Sequence, residues 1–129
     1  MNIAIIKYNA GNIQSVLFAL ERIGREGIVT DDEHQIRKAD KVIFPGVGEA
    51  STTMNYLRDR KLDKVIRGLK QPLLGVCLGM QLMCKYSEEN NTECLGIFDE
   101  SVRMFVPTGD MKVPHMGWNN LTLTNGWLD

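Results

Sequence analysis

Seven residues, Gly75-Val76-Cys77-Leu78-Gly79-Met80-Gln81, leave this chain little choice of local geometry. Ahead of them Pro72-Leu73-Leu74 is a short apolar run after a proline, the pattern of a buried strand. Behind them Met80, Leu82, Met83 and Tyr86 recur at roughly helical spacing. A strand therefore has to turn sharply into a helix, with Cys77 at the corner and glycine two positions away on each side. This is the nucleophile-elbow pattern with sulfur in place of a hydroxyl. The corner strains the nucleophile's backbone and lifts its side chain clear of the sheet. Side chains at the two flanking glycine positions would collide with neighbouring backbone there. A helix starting at Leu78 points unpaired N–H groups and its positive dipole end at the sulfur, which favours the thiolate. The N–H of Leu78 is also placed to donate to an oxyanion formed when sulfur attacks a carbonyl. A buried cysteine that happens to lie between glycines in such a turn fits the same letters.

Earlier in the chain, Asn2-Ile3-Ala4-Ile5-Ile6 is a nearly continuous apolar run, as expected for a central parallel strand covered on both faces. A turn at Tyr8–Asn12 leads into helical spacing at Ile13, Val16, Leu17, Leu20 and Ile23, with Asn12 as candidate N-cap and Gly24 as stop. Ile28-Val29-Thr30 is a second strand, and Asp31-Asp32-Glu33 with His34 is expected to be a solvated acidic turn. Lys41–Pro45 is a third strand, ending in Gly46-Val47-Gly48 and followed by helical patterns over 49–60 and at Leu62, Val65, Ile66 and Leu69. Gly46-x-Gly48 between strand and helix suggests a dinucleotide fingerprint, but the third glycine position holds Ser51 and the expected acidic strand end is missing downstream. The same loop can instead supply a second oxyanion donor from the carboxyl end of a neighbouring strand. Ser87–Glu93 is expected to be a polar loop. Val102–Val106 and Leu121–Leu123 read as two strands around a bend, a β-hairpin suited either to ordinary packing or to a binding surface.

With 129 residues, 43% apolar and 24% charged, the chain has the size and composition of one globular domain. A formal net charge of −1 without a basic cluster argues against nucleic acid or an anionic membrane as partner. No apolar run approaches a membrane span, and Met1 leads straight into a strand-like run with no signal-peptide pattern. The three cysteines show no C-x-x-C pairing or metal-ligand spacing, so free thiols in the cytoplasm, and no metal, are expected.

Four stretches in order, Tyr8–Val16, Pro45–Gly48, Gly75–Gln81 and Lys112-Val113-Pro114-His115-Met116-Gly117-Trp118-Asn119, closely resemble the glutaminase subunit family of imidazole glycerol phosphate synthase. These are class I (triad) glutamine amidotransferases of histidine biosynthesis. The elbow points to the broad class, and Lys112–Asn119 to the subunit.

The resemblance implies a doubly wound, mostly parallel α/β sheet of flavodoxin-like type, with residues 1–129 the N-terminal portion of one amidotransferase domain. It implies that Cys77 attacks the side-chain amide of L-glutamine, forming a thioester and releasing ammonia, with no cofactor. The ammonia would pass to a partner (β/α)8-barrel cyclase subunit. By position, Val47, Gly48 and Leu78 would supply oxyanion N–H groups, and Gly46 and Gln81 would hold the substrate. Asn12, His115, Met116 and Trp118 would face the partner.

Two departures matter. Lys7 stands where relatives often carry Asp before the first Tyr. The catalytic His and Glu of the family lie in a His-x-Glu motif near the C-terminus. Here the only histidines are His34 and His115, followed two residues on by Ile36 and Gly117. A chain without that region is expected to leave a sheet edge and an apolar face uncovered, and to lack a general base.

Overall fold

In the computed structural model, residues 1–9, 12–110, 112–120 and 122 are described. Four short strands, β1 (Ile3–Ile6), β2 (Gly27–Thr30), β3 (Lys41–Phe44) and β4 (Leu73–Gly75), form one parallel sheet in the order β2-β1-β3-β4. All four residues of β1 are buried, as its unbroken apolar run requires of a strand flanked on both sides and covered on both faces.

Helices cover the two faces unequally. Helix α1 (Ile13–Arg22) lies on one face and packs Ile13, Val16, Leu17 and Leu20 against Ile3, Ile5, Val29 and Ile43. The other face carries α2 (Glu33–Lys38), α3 (Ala50–Asp59), α4 (Leu62–Arg67) and α5 (Leu78–Met83), which bury Ala4, Ile6, Val42 and Phe44 together with Ile36, Met54, Leu57, Ile66 and Leu82. On the α1 side the cover runs out at the β4 edge, where Leu74 is 59% exposed. A groove of about 370 Å³ opens there between α1 and the ends of β3 and β4, lined by Val16, Ala19, Ile43, Leu74 and Val76 among others. The expected doubly wound parallel sheet is present, with one apolar edge strand open.

Four local expectations are corrected. The acidic segment after β2 is a helix, because the Asp32 carboxylate accepts the Gln35 N–H at 2.8 Å and Ile36 reaches the core at 0% exposure. Its sequence signal was the capping spacing of Asp32 and Gln35, backed by the Glu33–Arg37 pair one turn apart at 2.8 Å. Helix α5 ends at Met83, and Tyr86 belongs to a strand, since Cys84 turns extended and Lys85 N–H pairs with Glu100 O at 2.9 Å. The polar stretch Ser87–Glu93 is structured. Strands β5 (Tyr86–Ser87) and β6 (Thr92–Glu93) pair antiparallel around Asn90 and Asn91, both at left-handed φ (50° and 48°), a conformation asparagine tolerates. Finally, the second strand region is shorter than its alternation suggests. Among the described residues only β7 (Ser101–Val102) pairs, parallel to β5. Beyond it Met104, Phe105 and Val106 are 74%, 76% and 71% exposed, with Pro107 and Pro114 unable to donate to a ladder. The hairpin's other arm, at Leu121 and Leu123, lies outside the described residues.

Helix α3 illustrates how side-chain chemistry sets an element boundary. The Glu49 carboxylate accepts the N–H groups of Ser51 and Thr52 (2.8 and 2.9 Å) and both of their hydroxyls (2.8 and 2.7 Å). The Thr52 N–H first, then its hydroxyl and the Ser51 N–H, hold this carboxyl well below the usual range. A depressed folded-state pKa stabilises the fold above the ordinary glutamate value of about 4.3, and that contribution fades as pH falls from there. Glu49→Gln is therefore expected to lower the melting temperature by a few degrees at pH 7, with the difference from the parent narrowing steadily between pH 5 and pH 2 in thermal melts.

Candidate active site

Cys77 occupies the corner between β4 and α5 with φ 51° and ψ −117°, a strained conformation for a side-chain-bearing residue. It persists because its neighbours hold the corner from both sides. Val76 N–H donates to Phe44 O at 3.0 Å, Gly79 N–H to Val76 O at 2.9 Å, and Gln81 N–H to Cys77 O at 3.0 Å. The two flanking glycines are required by contact. A Cβ on Gly75 would come within 2.7 Å of Met80 Cα, and one on Gly79 would strike Phe44 O and stand 2.8 Å from Pro45 O.

The loop after β3 belongs to the same site. A Cβ on Gly46 would strike Gly79 N and stand 2.7 Å from Leu78 Cβ, so the loop backbone rests directly on the start of α5. Gly48 has φ +114°, a value that favours glycine. The N–H groups of Val47, Gly48 and Leu78 find no acceptor among the described residues. The loop after β3 and the start of α5, two separate stretches of backbone, thus lie against each other beside the Cys77 corner.

Of the three cysteines, only Cys77 is exposed. Cys94 is 2% exposed, and burial pushes its thiol up to about 11. Burial, and then Glu100, raises Cys84 as well. One equivalent of iodoacetamide at pH 8 is accordingly expected to modify Cys77 and to leave Cys94 intact until denaturant is added, as read by peptide mass mapping.

The dinucleotide alternative fails on electrostatics. The N-terminus of α3, where a pyrophosphate would sit, is filled by the Glu49 carboxylate, and Ala50 N–H is taken by Glu89 Oε2 at 2.8 Å. Two carboxylates there repel a phosphate.

The other expected residues divide into two groups. Gln81 is half-buried on α5 and opens on a cleft of about 480 Å³ that also exposes Glu88, Glu89 and Arg103. Both signs of charge in one cleft suit the ammonium and carboxylate of an amino acid, and neither Glu89 nor Arg103 was marked by a motif read from sequence. Asn12 lines the α1 groove together with Pro45, Gly46, Val47 and Val76. It stands at the N-cap position of α1, but its side chain accepts no backbone N–H of the helix. At φ 71° its amide oxygen accepts the Ser15 hydroxyl instead. His115 and Met116 line a different cavity with Phe105, Lys112 and Pro114, and Trp118 is fully exposed. His115 shares its side-chain hydrogen bond with Asn119 (3.1 Å), and His34 lines a cavity with Asn2, Ile28 and Lys38. Neither histidine hydrogen-bonds Cys77 among the described residues. No group of acidic, histidine and cysteine side chains that could hold a metal occurs among them, and no helix there is long and apolar enough to cross a membrane.

A cysteine held at positive φ on a strand-to-helix corner, at the carboxyl end of a parallel sheet, defines an α/β protein of the elbow type. Residues 5–126 match the family described as glutamine amidotransferase class-I, and the chain belongs to it. It is 58% identical over 123 residues to the imidazole glycerol phosphate synthase subunit HisH of Bacteroides fragilis (strain YCH46), covering 95% of this chain and 63% of that protein. It is 57% identical over 129 residues to the subunit of the same name from Bacteroides thetaiotaomicron, covering 99% and 66%. The Idiomarina loihiensis subunit HisH is 44% identical over 96% of this chain and 63% of its own length. The chain thus spans 63–66% of the length of these relatives. A solved crystal structure of a glutamine amidotransferase superposes with a TM-score of 0.65 at 21% identity, over 78% of this chain and 55% of the other, a likeness of fold.

Proposed function

We propose that this chain is the Cys77-bearing part of the glutaminase subunit of an imidazole glycerol phosphate synthase, acting in the cytoplasm in histidine biosynthesis. One observation supports the chemistry: Cys77 is exposed on a strained corner, against which the Gly46 loop is packed. The sulfur attacks the side-chain amide carbon of L-glutamine. The N–H groups of Leu78, Val47 and Gly48 take the charge that develops on oxygen, the interaction that contributes most to such reactions. The amide nitrogen takes up the proton given up by the thiol, and the carbonyl re-forms as the C–N bond breaks. Neutral ammonia leaves with the C–N electron pair, and a γ-glutamyl thioester remains on Cys77 until water attacks its carbonyl and releases glutamate. Gly46 brings the loop close to α5, and the Gln81 cleft receives the amino-acid end of the substrate.

Ammonia made here would travel to a (β/α)8-barrel cyclase subunit. The exposed apolar side chains Met104, Phe105, Met116 and Trp118 favour a docking role for that arm. With Asn12 on the groove beside the oxyanion loop, the partner would meet the chain at both places. Exposed Lys7, whose N–H pairs with Thr30 O at 2.8 Å, stands at the end of β1 where relatives often carry Asp.

The described residues bring no histidine to Cys77, and a general base is worth about 10²- to 10⁴-fold. Residues 1–129 alone are therefore expected to release glutamate at background rate even with the cyclase present. Labelling tests the site itself. A glutamine chloroketone should modify Cys77 with unit stoichiometry in intact-mass spectra, and Cys77→Ser should abolish it. A chain unreactive toward that analogue, yet alkylated readily by iodoacetamide, would remove the glutaminase reading and leave the docking role. Steady-state glutamate release well above background would show that another residue serves as base.

A further inference from the structure

Tyr8 takes no part in the site as read from sequence, yet it holds the end of β3 from which the loop of the site departs. Its ring is 4% exposed and lies edge-on to Phe44, with centroids 5.7 Å apart at 67°. Its phenolic O–H donates to Pro45 O at 2.5 Å, across 37 residues of chain. Phe44 and Pro45 are the two residues on which the corner rests. Phe44 O accepts the Val76 N–H, and both carbonyls stand against the bare Cα of Gly79.

A peptide group is planar and trans, so pinning its oxygen also sets the direction of its N–H. The Pro45 carbonyl shares its plane with the Gly46 N–H, at the head of the loop that supplies Val47 and Gly48. Among the described residues the Tyr8 hydroxyl is the donor that holds this buried carbonyl. A buried acceptor left without a donor drives local rearrangement.

We propose that Tyr8 is a positioning residue for acyl transfer at Cys77, its hydroxyl locking the Pro45–Gly46 peptide and so setting the path of the loop that would carry the oxyanion donors. The role rests on the reading that Cys77 attacks a glutamine amide. Burial, followed by the charge of the Cys77 sulfur, holds the phenol far above its ordinary value, so it serves as a donor throughout the working pH range.

The test is Tyr8→Phe, which removes one oxygen and keeps the ring on Phe44. Two reagents are compared on the full chain. With a glutamine chloroketone the thiolate adds to the ketone carbon, generating the oxyanion. The sulfur then shifts to the chloromethyl carbon, the first C–S bond breaking as the carbonyl re-forms and chloride leaving with the C–Cl electron pair. Iodoacetamide alkylates the same sulfur by direct displacement of iodide, with no oxyanion. The expected result is a fall of about 10- to 100-fold in kinact for the chloroketone, below the 10²- to 10³-fold typical of deleting a donor outright. KI and the iodoacetamide rate at Cys77 should stay within about twofold. An unchanged kinact would overturn the positioning role, and so would an equal loss with both reagents or a variant that fails to fold. In those cases the hydroxyl is either idle or a support of the fold at large. Failure of the parent chain to react with the chloroketone is a different result, which removes the glutaminase reading and this role with it.

Discussion

Gly79→Ala is expected to destabilise the chain by about 3 kcal/mol, the upper part of the usual overpacking range, and to remove the selective reactivity of Cys77. The new Cβ would strike Phe44 O and stand 2.8 Å from Phe44 C and Pro45 O. These are backbone atoms of β3 and its loop, and they cannot swing aside as a side chain can. Either α5 moves off the sheet or the loop moves off α5. Both separate the Leu78 donor from the Val47 and Gly48 donors. A loss of this size is a large share of the 5–15 kcal/mol that holds a typical domain. Gly24→Ala is the control, because nothing lies within 4 Å of its Cβ and only its φ of +66° opposes the change, at about 1 kcal/mol. Urea denaturation of both variants, followed by the labelling comparison, checks the difference. Equal costs at the two positions would contradict the close seating of α5 on β3.

Phe44→Ala is expected to cost about 4 kcal/mol, whereas Leu74→Ala on the neighbouring strand should cost less than about 1 kcal/mol. Phe44 is 0% exposed beneath α3, α4 and α5, and its loss leaves a cavity that its backbone-anchored neighbours cannot fill. Leu74 is 59% exposed in the groove beside α1, so truncating it removes little buried surface. On sequence alone the two look alike, each an apolar residue near the end of a short strand. Midpoints of urea unfolding measured in the isolated chain distinguish them. A large loss at Leu74 would mean that the α1 face is covered after all. Addition of a partner that fills the groove should raise the cost of Leu74→Ala and leave that of Phe44→Ala unchanged.

Local order was written plainly in the chain. The unbroken run Ile3–Ile6 demanded a strand covered on two faces, and the glycines around Cys77 demanded a corner that no other residue could turn. Periodic apolar spacing located α1, α3 and α4 to within a residue or two. Short polar elements escaped, because α2 depends on one hydrogen bond to Asp32 and the β5–β6 turn on the left-handed backbone of Asn90 and Asn91 rather than on a repeating pattern. The strand expected over Val102–Val106 failed for the opposite reason, since alternation without a partner or a core face does not make a ladder.

Which distant residues meet was decided by the tertiary structure. Sequence placed Cys77 on a corner and Gly46-Val47-Gly48 on a loop, but the missing Cβ atoms of Gly46 and Gly79 show why those backbones can touch. The hydrogen bond from Tyr8 to Pro45 and the gathering of Gln81, Glu89 and Arg103 in one cleft join residues far apart in the chain. The same holds for the two carboxylates at the start of α3. Propensity and spacing act over a few residues, whereas burial and hydrogen-bond satisfaction act between elements, and only packing brings those elements together.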